Sequence, residues 1–174
     1  PELGATHFET GTLSVIDAGV PDALDVQGAD IDGDGDLDAV GVSNFNEEVA
    51  WWRNGNSSGG GDGSTWTKIT ISAFSSPTSV HAADIDGDGD LDAVATSYFG
   101  GELSWWRNGN SSGGGDGSTW TEISVDAEIP GAISVFAANI NGGNGLDIVA
   151  ATDIGGILWY NNTVGDGSQW TANP

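Results

Sequence analysis

Asp30-Ile31-Asp32-Gly33-Asp34-Gly35-Asp36-Leu37-Asp38 sets aspartates on alternate positions of a nine-residue stretch, and the same nine residues return at Asp84–Asp92. Like charge this dense resists folding unless something cancels it. A hard divalent cation held by oxygen ligands does so, and calcium is the best fit. The rest of the chain reads as a scaffold that presents this loop at a fixed interval.

That interval decides the fold. Asp30 and Asp84 are 54 residues apart, and Arg53–Thr67 is identical to Arg107–Thr121 at the same offset. A third, more divergent copy begins at Asn139. It keeps Leu146-Asp147-Ile148-Val149, Trp159-Tyr160 and Gly165-Asp166-Gly167-Ser168, with a shorter turn after Tyr160. Within a copy, short runs rich in Val, Ile, Thr, Trp and Tyr alternate with turn signals, which predicts strands. In the second copy the expected strands are Ser79–Ile85, Leu91–Tyr98, Glu102–Arg107 and Thr119–Val125. The aspartate loop, Phe99-Gly100-Gly101 and the polar segment Asn108–Ser118 connect them. Runs such as LDAVATSY alternate only partly, as in a sheet covered on both faces.

Four antiparallel strands at this period match a propeller blade; a flat repeat array or a sandwich are the rivals. The fold class is therefore all-β, with three four-stranded antiparallel blades as a partial ring, or as a ring or array completed by oligomerisation. Residues 17–71 form blade 1 with loop 30–38, residues 72–125 blade 2 with loop 84–92, and residues 126–174 blade 3 with the degenerate loop 139–147. Residues 6–16 read as a strand placed to supply the fourth strand of blade 3, in the same chain or in a neighbour. Closed propellers usually hold 4–8 blades. Three blades point to a two-chain six-bladed ring, a serial array, or a segment of a larger protein. The absence of methionine agrees with a processed chain or a piece of a longer one.

In a D-x-D-x-D-G-x-x-D loop, positions one, three, five and nine offer carboxylates and position seven a carbonyl. That assigns Asp30, Asp32, Asp34 and Asp38, with the carbonyl of Asp36, to one calcium. Asp84, Asp86, Asp88 and Asp92, with the carbonyl of Asp90, take a second. Gly33 and Gly35 permit the tight coil, and Leu37 and Leu91 are expected to anchor it in the core. An EF-hand would need a glutamate at position twelve, where Gly41 and Ala95 stand. The third loop keeps Asn139, Asn141 and Asp147 as candidate ligands. Gly143 removes the position-five carboxylate, so this site is expected to be weak or empty, with amide hydrogen bonds holding the turn.

The aspartate loop, the Phe99-Gly100-Gly101 turn and the spacing resemble FG-GAP/VCBS-type repeats, the blades of integrin-type propellers and of many secreted proteins. The resemblance spans nearly the whole chain, although the Gly-Ala-Pro part of the family pattern is missing. It implies a calcium-stabilised, extracellular, non-enzymatic module for adhesion, glycan binding or assembly.

Composition narrows the partners. There are 26 acidic residues against 3 basic ones, a net charge of −23. That disfavours nucleic acid and anionic membrane surfaces. No apolar run approaches the ~20 residues of a membrane span. Without cysteine there is neither a disulfide nor a thiol zinc site. No grouping for catalysis is discernible: His7 and His81 are the only histidines, and the carboxylates belong to the metal loops. The pairs Trp51-Trp52, Trp105-Trp106 and Trp159-Tyr160 suit packing between blades better than sugar stacking. Asn56, Asn110 and Asn161 begin glycosylation sequons, all expected in the same inter-strand turn. The resulting expectation is a calcium-binding structural, adhesive or assembly unit that partners itself or the rest of a larger chain. A glycan-binding lectin and an accessory domain of a secreted polysaccharide-active enzyme are the alternatives.

Overall fold

The computed structural model describes residues 14–56 and 58–173, and within them every regular element is a strand. The strands are β1 (Ala23–Ala29), β2 (Asp38–Ser43), β3 (Glu48–Asn54), β4 (Trp66–Ala73), β5 (Pro77–Ala83), β6 (Asp92–Ser97), β7 (Glu102–Asn108), β8 (Trp120–Asp126), β9 (Ala132–Ala138), β10 (Asp147–Thr152), β11 (Gly156–Asn162) and β12 (Trp170–Asn173). They form three four-stranded antiparallel sheets, each in sequential order. Each sheet is one repeat, a propeller-type blade. The third sheet contains its own fourth strand, the short β12. The expectation for residues 6–16 falls mostly outside the described residues, and Ser14, Val15 and Ile16 are not in a strand.

The sheets stack face to face in chain order. β2 and β6 are buried at every position, as their weak alternation implies for a strand with both faces covered. Successive side chains of a strand point to opposite faces, and the buried side chains sort accordingly. On β6, Val94 packs toward the third sheet, while Ala93 and Ala95 pack toward the first. On β7, Trp105 packs toward the third sheet and Trp106 toward the first. The tryptophan pairs of β3 and β7 are therefore buried packing residues. Two of these rings face a small residue across the strand pair: Trp52 lies opposite Ala39, and Trp106 opposite Ala93.

The back of each sheet thus meets the front of the next. At the first junction Ile31, Val40, Val49 and Trp51 pack against Val80, Ala82 and Trp106, with Phe74 edge-on to Trp106 at 5.0 Å between ring centroids. At the second, Ile85, Val94, Leu103 and Trp105 pack against Val135, Ile148 and Tyr160. Polar contacts fix the register. Trp51 Nε1 donates to the Gly117 carbonyl at 3.1 Å, and Trp105 Nε1 to the Gly167 carbonyl at 3.2 Å. His81 lies against Phe136 with centroids 4.2 Å apart, and its burial holds the imidazole below its ordinary pKa.

One expectation fails here. Leu37 is 66% exposed, whereas Leu91 and Leu146 are packed into the two junctions. This position lies on the front of a sheet, and no described sheet precedes the first. The buried anchor of each of the first two loops is Ile31 or Ile85.

Candidate metal centre

The aspartate loop joins the first strand of a sheet to the second. Gly33 and Gly35 (φ 73° and 96°), like Gly87 and Gly89 (φ 79° and 100°), adopt left-handed backbone that side chains resist. The coil that results turns its carboxylates toward one another. Asp30, Asp32 and Asp38 each place an oxygen within 4.8 Å of the others, and so do Asp84, Asp86 and Asp88.

The carboxylates do not all play one part. Asp38, at the start of β2, is buried and accepts the Ile31 N–H at 3.0 Å and the Asn54 N–H at 2.8 Å. Asp92 repeats this with Ile85 (2.9 Å) and Asn108 (2.9 Å), and Asp147 with Ile140 (3.1 Å) and Asn162 (3.0 Å). This residue ties the loop to the third strand in all three sheets, with or without the other aspartates. Asp34 and Asp36 face the glycine-rich loop after β3, accepting N–H bonds from Gly59 (3.0 Å) and Gly61 (2.6 Å). Asp88 and Asp90 do the same with Gly113 (3.2 Å) and Gly115 (2.5 Å). Asp30 and Asp84 accept N–H bonds within their own coils, from Gly35 and Gly89.

Asp32 and Asp86 meet a cation that the sequence reading did not bring to the loop. Arg53 Nε lies 2.8 Å from Asp32 Oδ2, and Arg107 Nε lies 2.6 Å from Asp86 Oδ2. Each guanidinium also stacks over the tryptophan two residues before it, Arg53 over Trp51 at 5.0 Å and Arg107 over Trp105 at 5.3 Å. The signal was present in the sequence. Two of the three basic residues occupy one repeat position, and in the third copy that position is Asn161 where the loop partner is Asn141. The amide pair replaces the ion pair, with Asn141 Nδ2 donating to Asn161 Oδ1 at 2.7 Å.

One arginine per loop leaves the charge uncompensated. Burial, with Asp34 nearby, raises the pKa of Asp32 despite Arg53. Burial likewise raises Asp38 and Asp86, and pushes Asp92 up to about 7. Among the described residues, Asp30 Oδ1 and Asp32 Oδ1 are enclosed and have no hydrogen-bond partner. An all-oxygen donor set with buried, unsatisfied carboxylate oxygens fits a hard cation.

The third loop is held by amides. Asn139 Oδ1 accepts the Gly142 N–H at 2.6 Å, its Nδ2 donates to the Gly143 carbonyl at 2.7 Å, and Asn141 Oδ1 accepts the Gly143 N–H at 2.5 Å. Asp147 is its only carboxylate. Of the sequon residues, Asn56 and Asn110 are exposed in the loops after β3 and β7. Asn161 does not share that turn. It lies in β11 at the position of Arg53 and Arg107, with its side chain bonded to Asn141.

Sequential four-stranded antiparallel blades, each carrying its loop between first and second strand, define a propeller-type repeat protein. Residues 30–95 match the family model of the FG-GAP-like repeat. The match runs from the first aspartate loop through the second, and it bears out over those residues the resemblance read from the loops. No curated protein matches the chain.

Proposed function

We propose that the chain is a non-enzymatic, extracellular repeat module whose first two loops bind calcium, and that it serves as a structural, adhesive or assembly unit. The observation that supports this most directly is the pair of enclosed carboxylate oxygens without partners among the described residues, Asp30 Oδ1 and Asp32 Oδ1, inside the Asp30–Asp32–Asp38 cluster. Calcium at 30–38 and 84–92 would neutralise charge that burial now disfavours. It would also join the first and second strands of a blade. The retained arginine lowers the net negative charge of each loop, and affinity follows ligand charge. Dissociation constants on the order of 10⁻⁴–10⁻³ M, typical of extracellular modules, are expected.

Titration calorimetry of chelator-treated protein tests the reading. The expected result is close to two calcium ions per chain, falling to about one for Asp32→Asn combined with Asp30→Asn. At 100 times Kd, each ion adds about 2.7 kcal/mol of stability. An unchanged melting curve after chelation, with no heat of binding, would remove calcium from the account.

A further inference from the structure

Among the described residues, the back of the third sheet and part of the front of the first lie exposed, and they match the two faces that meet at each internal junction; on that front Trp52 is already covered by Val20 and donates its indole N–H to Asp17 Oδ2 at 3.0 Å. On the back of the third sheet, Ile140, Ile157 and Trp159 stand where Ile31, Val49 and Trp51, or Ile85, Leu103 and Trp105, stand in the preceding sheets. The earlier residues are at most 1% exposed, whereas Ile140 is 52% and Ile157 75% exposed. The indole N–H of Trp159 is enclosed and, among the described residues, has no acceptor; those of Trp51 and Trp105 donate to a glycine carbonyl of the next sheet's loop.

The front of the first sheet offers the counterpart. Val26 is 67% exposed, where Val80 and Val135 are covered by a preceding sheet. Beside it lies a depression of about 200 Å³ lined by Val20, Val26, Ala39, Gly41 and Trp52. The glycine carbonyl that would receive a tryptophan from outside is that of Gly63. It accepts the indole of Trp66 at 3.0 Å and, among the described residues, no second one. The Gly117 and Gly167 carbonyls accept two each. A Cβ at Gly117 or Gly167 would lie 2.3 or 2.4 Å from Trp51 or Trp105, while at Gly63 it meets nothing within 4 Å. Asn54 follows the same pattern. Its Nδ2 donates only to the Leu37 carbonyl among the described residues, whereas those of Asn108 and Asn162 also reach back to the Ile31 and Ile85 carbonyls of the preceding sheet.

We infer that the back of the third sheet docks onto the front of the first sheet of a second copy of this chain, head to tail. Val26 is then covered, and Trp159, whose indole nitrogen is enclosed in the single chain, turns to donate to the Gly63 carbonyl across the interface. This deepens the assembly reading and stands apart from calcium. The contact is heterologous, so it closes a ring when the rotation permits and otherwise extends a series. With a net charge of −23 per chain, repulsion opposes it at low ionic strength, and added salt favours it.

Sedimentation velocity of the 174-residue chain, at about 100 μM with 0.15 M salt and saturating calcium, is the test. The expected mass is at least twice 17.7 kDa. Ile157→Asp alone and Val26→Asp alone should each shift the mass to 17.7 kDa. Mixed in equal amounts they should recover a heterodimer, because each retains the face the other lost. Both residues are exposed in the single chain, and circular dichroism confirms that the variants fold; Ile157→Ser is the milder second variant. Phe45→Asp, in the β2–β3 turn and on neither face, should leave the mass of the wild type. A wild-type monomer under these conditions overturns the inference. So does an oligomer that either substitution leaves intact, or a mixture that stays monomeric. Calcium binding is read separately by calorimetry, so failure of one reading does not mask the other.

Discussion

Gly117→Ala and Gly63→Ala form a matched pair that isolates junction packing from backbone strain. The two glycines occupy the same place in the identical segments Arg53–Thr67 and Arg107–Thr121, with φ of 71° and 76°. An alanine at either site holds left-handed backbone, at about 1–2 kcal/mol. At Gly63 nothing else happens within one chain, since the new Cβ has open space. At Gly117 it would sit 2.3 Å from Trp51 Cζ2 and 2.7 Å from Cε2. Trp51 is fully buried and is held by its indole bond to the Gly117 carbonyl itself. The ring cannot yield without moving the first junction, and overpacking of this kind costs a further ~1–3 kcal/mol. Urea unfolding followed by tryptophan fluorescence, in calcium and at sub-micromolar protein, gives both values. Gly117→Ala should be the more destabilising by about 1–3 kcal/mol, or roughly 2–4 °C of melting temperature per kcal/mol. Equal losses would refute the claim that the Trp51–Gly117 contact fixes the junction.

Stability in chelator should fall as pH rises. Burial pushes the folded Asp92 up to about 7 from an ordinary 3.8, a ceiling of about 4 kcal/mol by 1.36 kcal/mol per unit, and Asp32, Asp38 and Asp86 shift the same way. A raised acid favours the folded state while protonated, so this stability is full below about pH 4 and lost by about pH 7. Differential scanning calorimetry in chelator should give a higher melting temperature at pH 5 than at pH 8; the opposite order would show that burial does not dominate these carboxylates. Arg107→Ala removes the only guanidinium at Asp86 among the described residues, so its melting temperature should drop more in chelator than in calcium, where the ion supplies the missing charge. Asp147→Ala leaves the Ile140 and Asn162 N–H groups without their acceptor and should cost about 2–4 kcal/mol by chemical unfolding, with calcium stoichiometry unchanged.

Much of the fold was legible because the repeat reports itself. The four strands expected in the second copy end within two residues of β5, β6, β7 and β8. The aspartate loop was legible as a cluster of carboxylates, but the division of labour within it was not. Position nine looks like one more ligand in the sequence. In space it bonds the third strand, and it survives as Asp147 in the copy that lost the other carboxylates. Arg53 and Arg107 lie about twenty residues from their aspartates, and the β2–β3 and β6–β7 pairings bring them together. The third sequon looked like a counterpart of the first two because its turn is shorter. Strand pairing instead places Asn161 at the arginine position, within β11. Leu37 was misplaced for a different reason: a sequence repeat implies equal surroundings for equal residues, and among the described residues no sheet precedes the first.

The identity of Arg53–Thr67 and Arg107–Thr121 also bears on how the chain reaches this arrangement. Trp51 and Trp105 each find an acceptor in the loop of the following sheet; the loops of the first and second sheets are identical, whereas that of the third is shorter. A nascent first sheet that skips the second and docks on the third is a kinetic trap of the sort repeat proteins face. The shortened loop from Asn162 to Gly167 acts as an address label. It gives the third sheet a different lip from the other two, a difference that would tell a skipped docking from the native one.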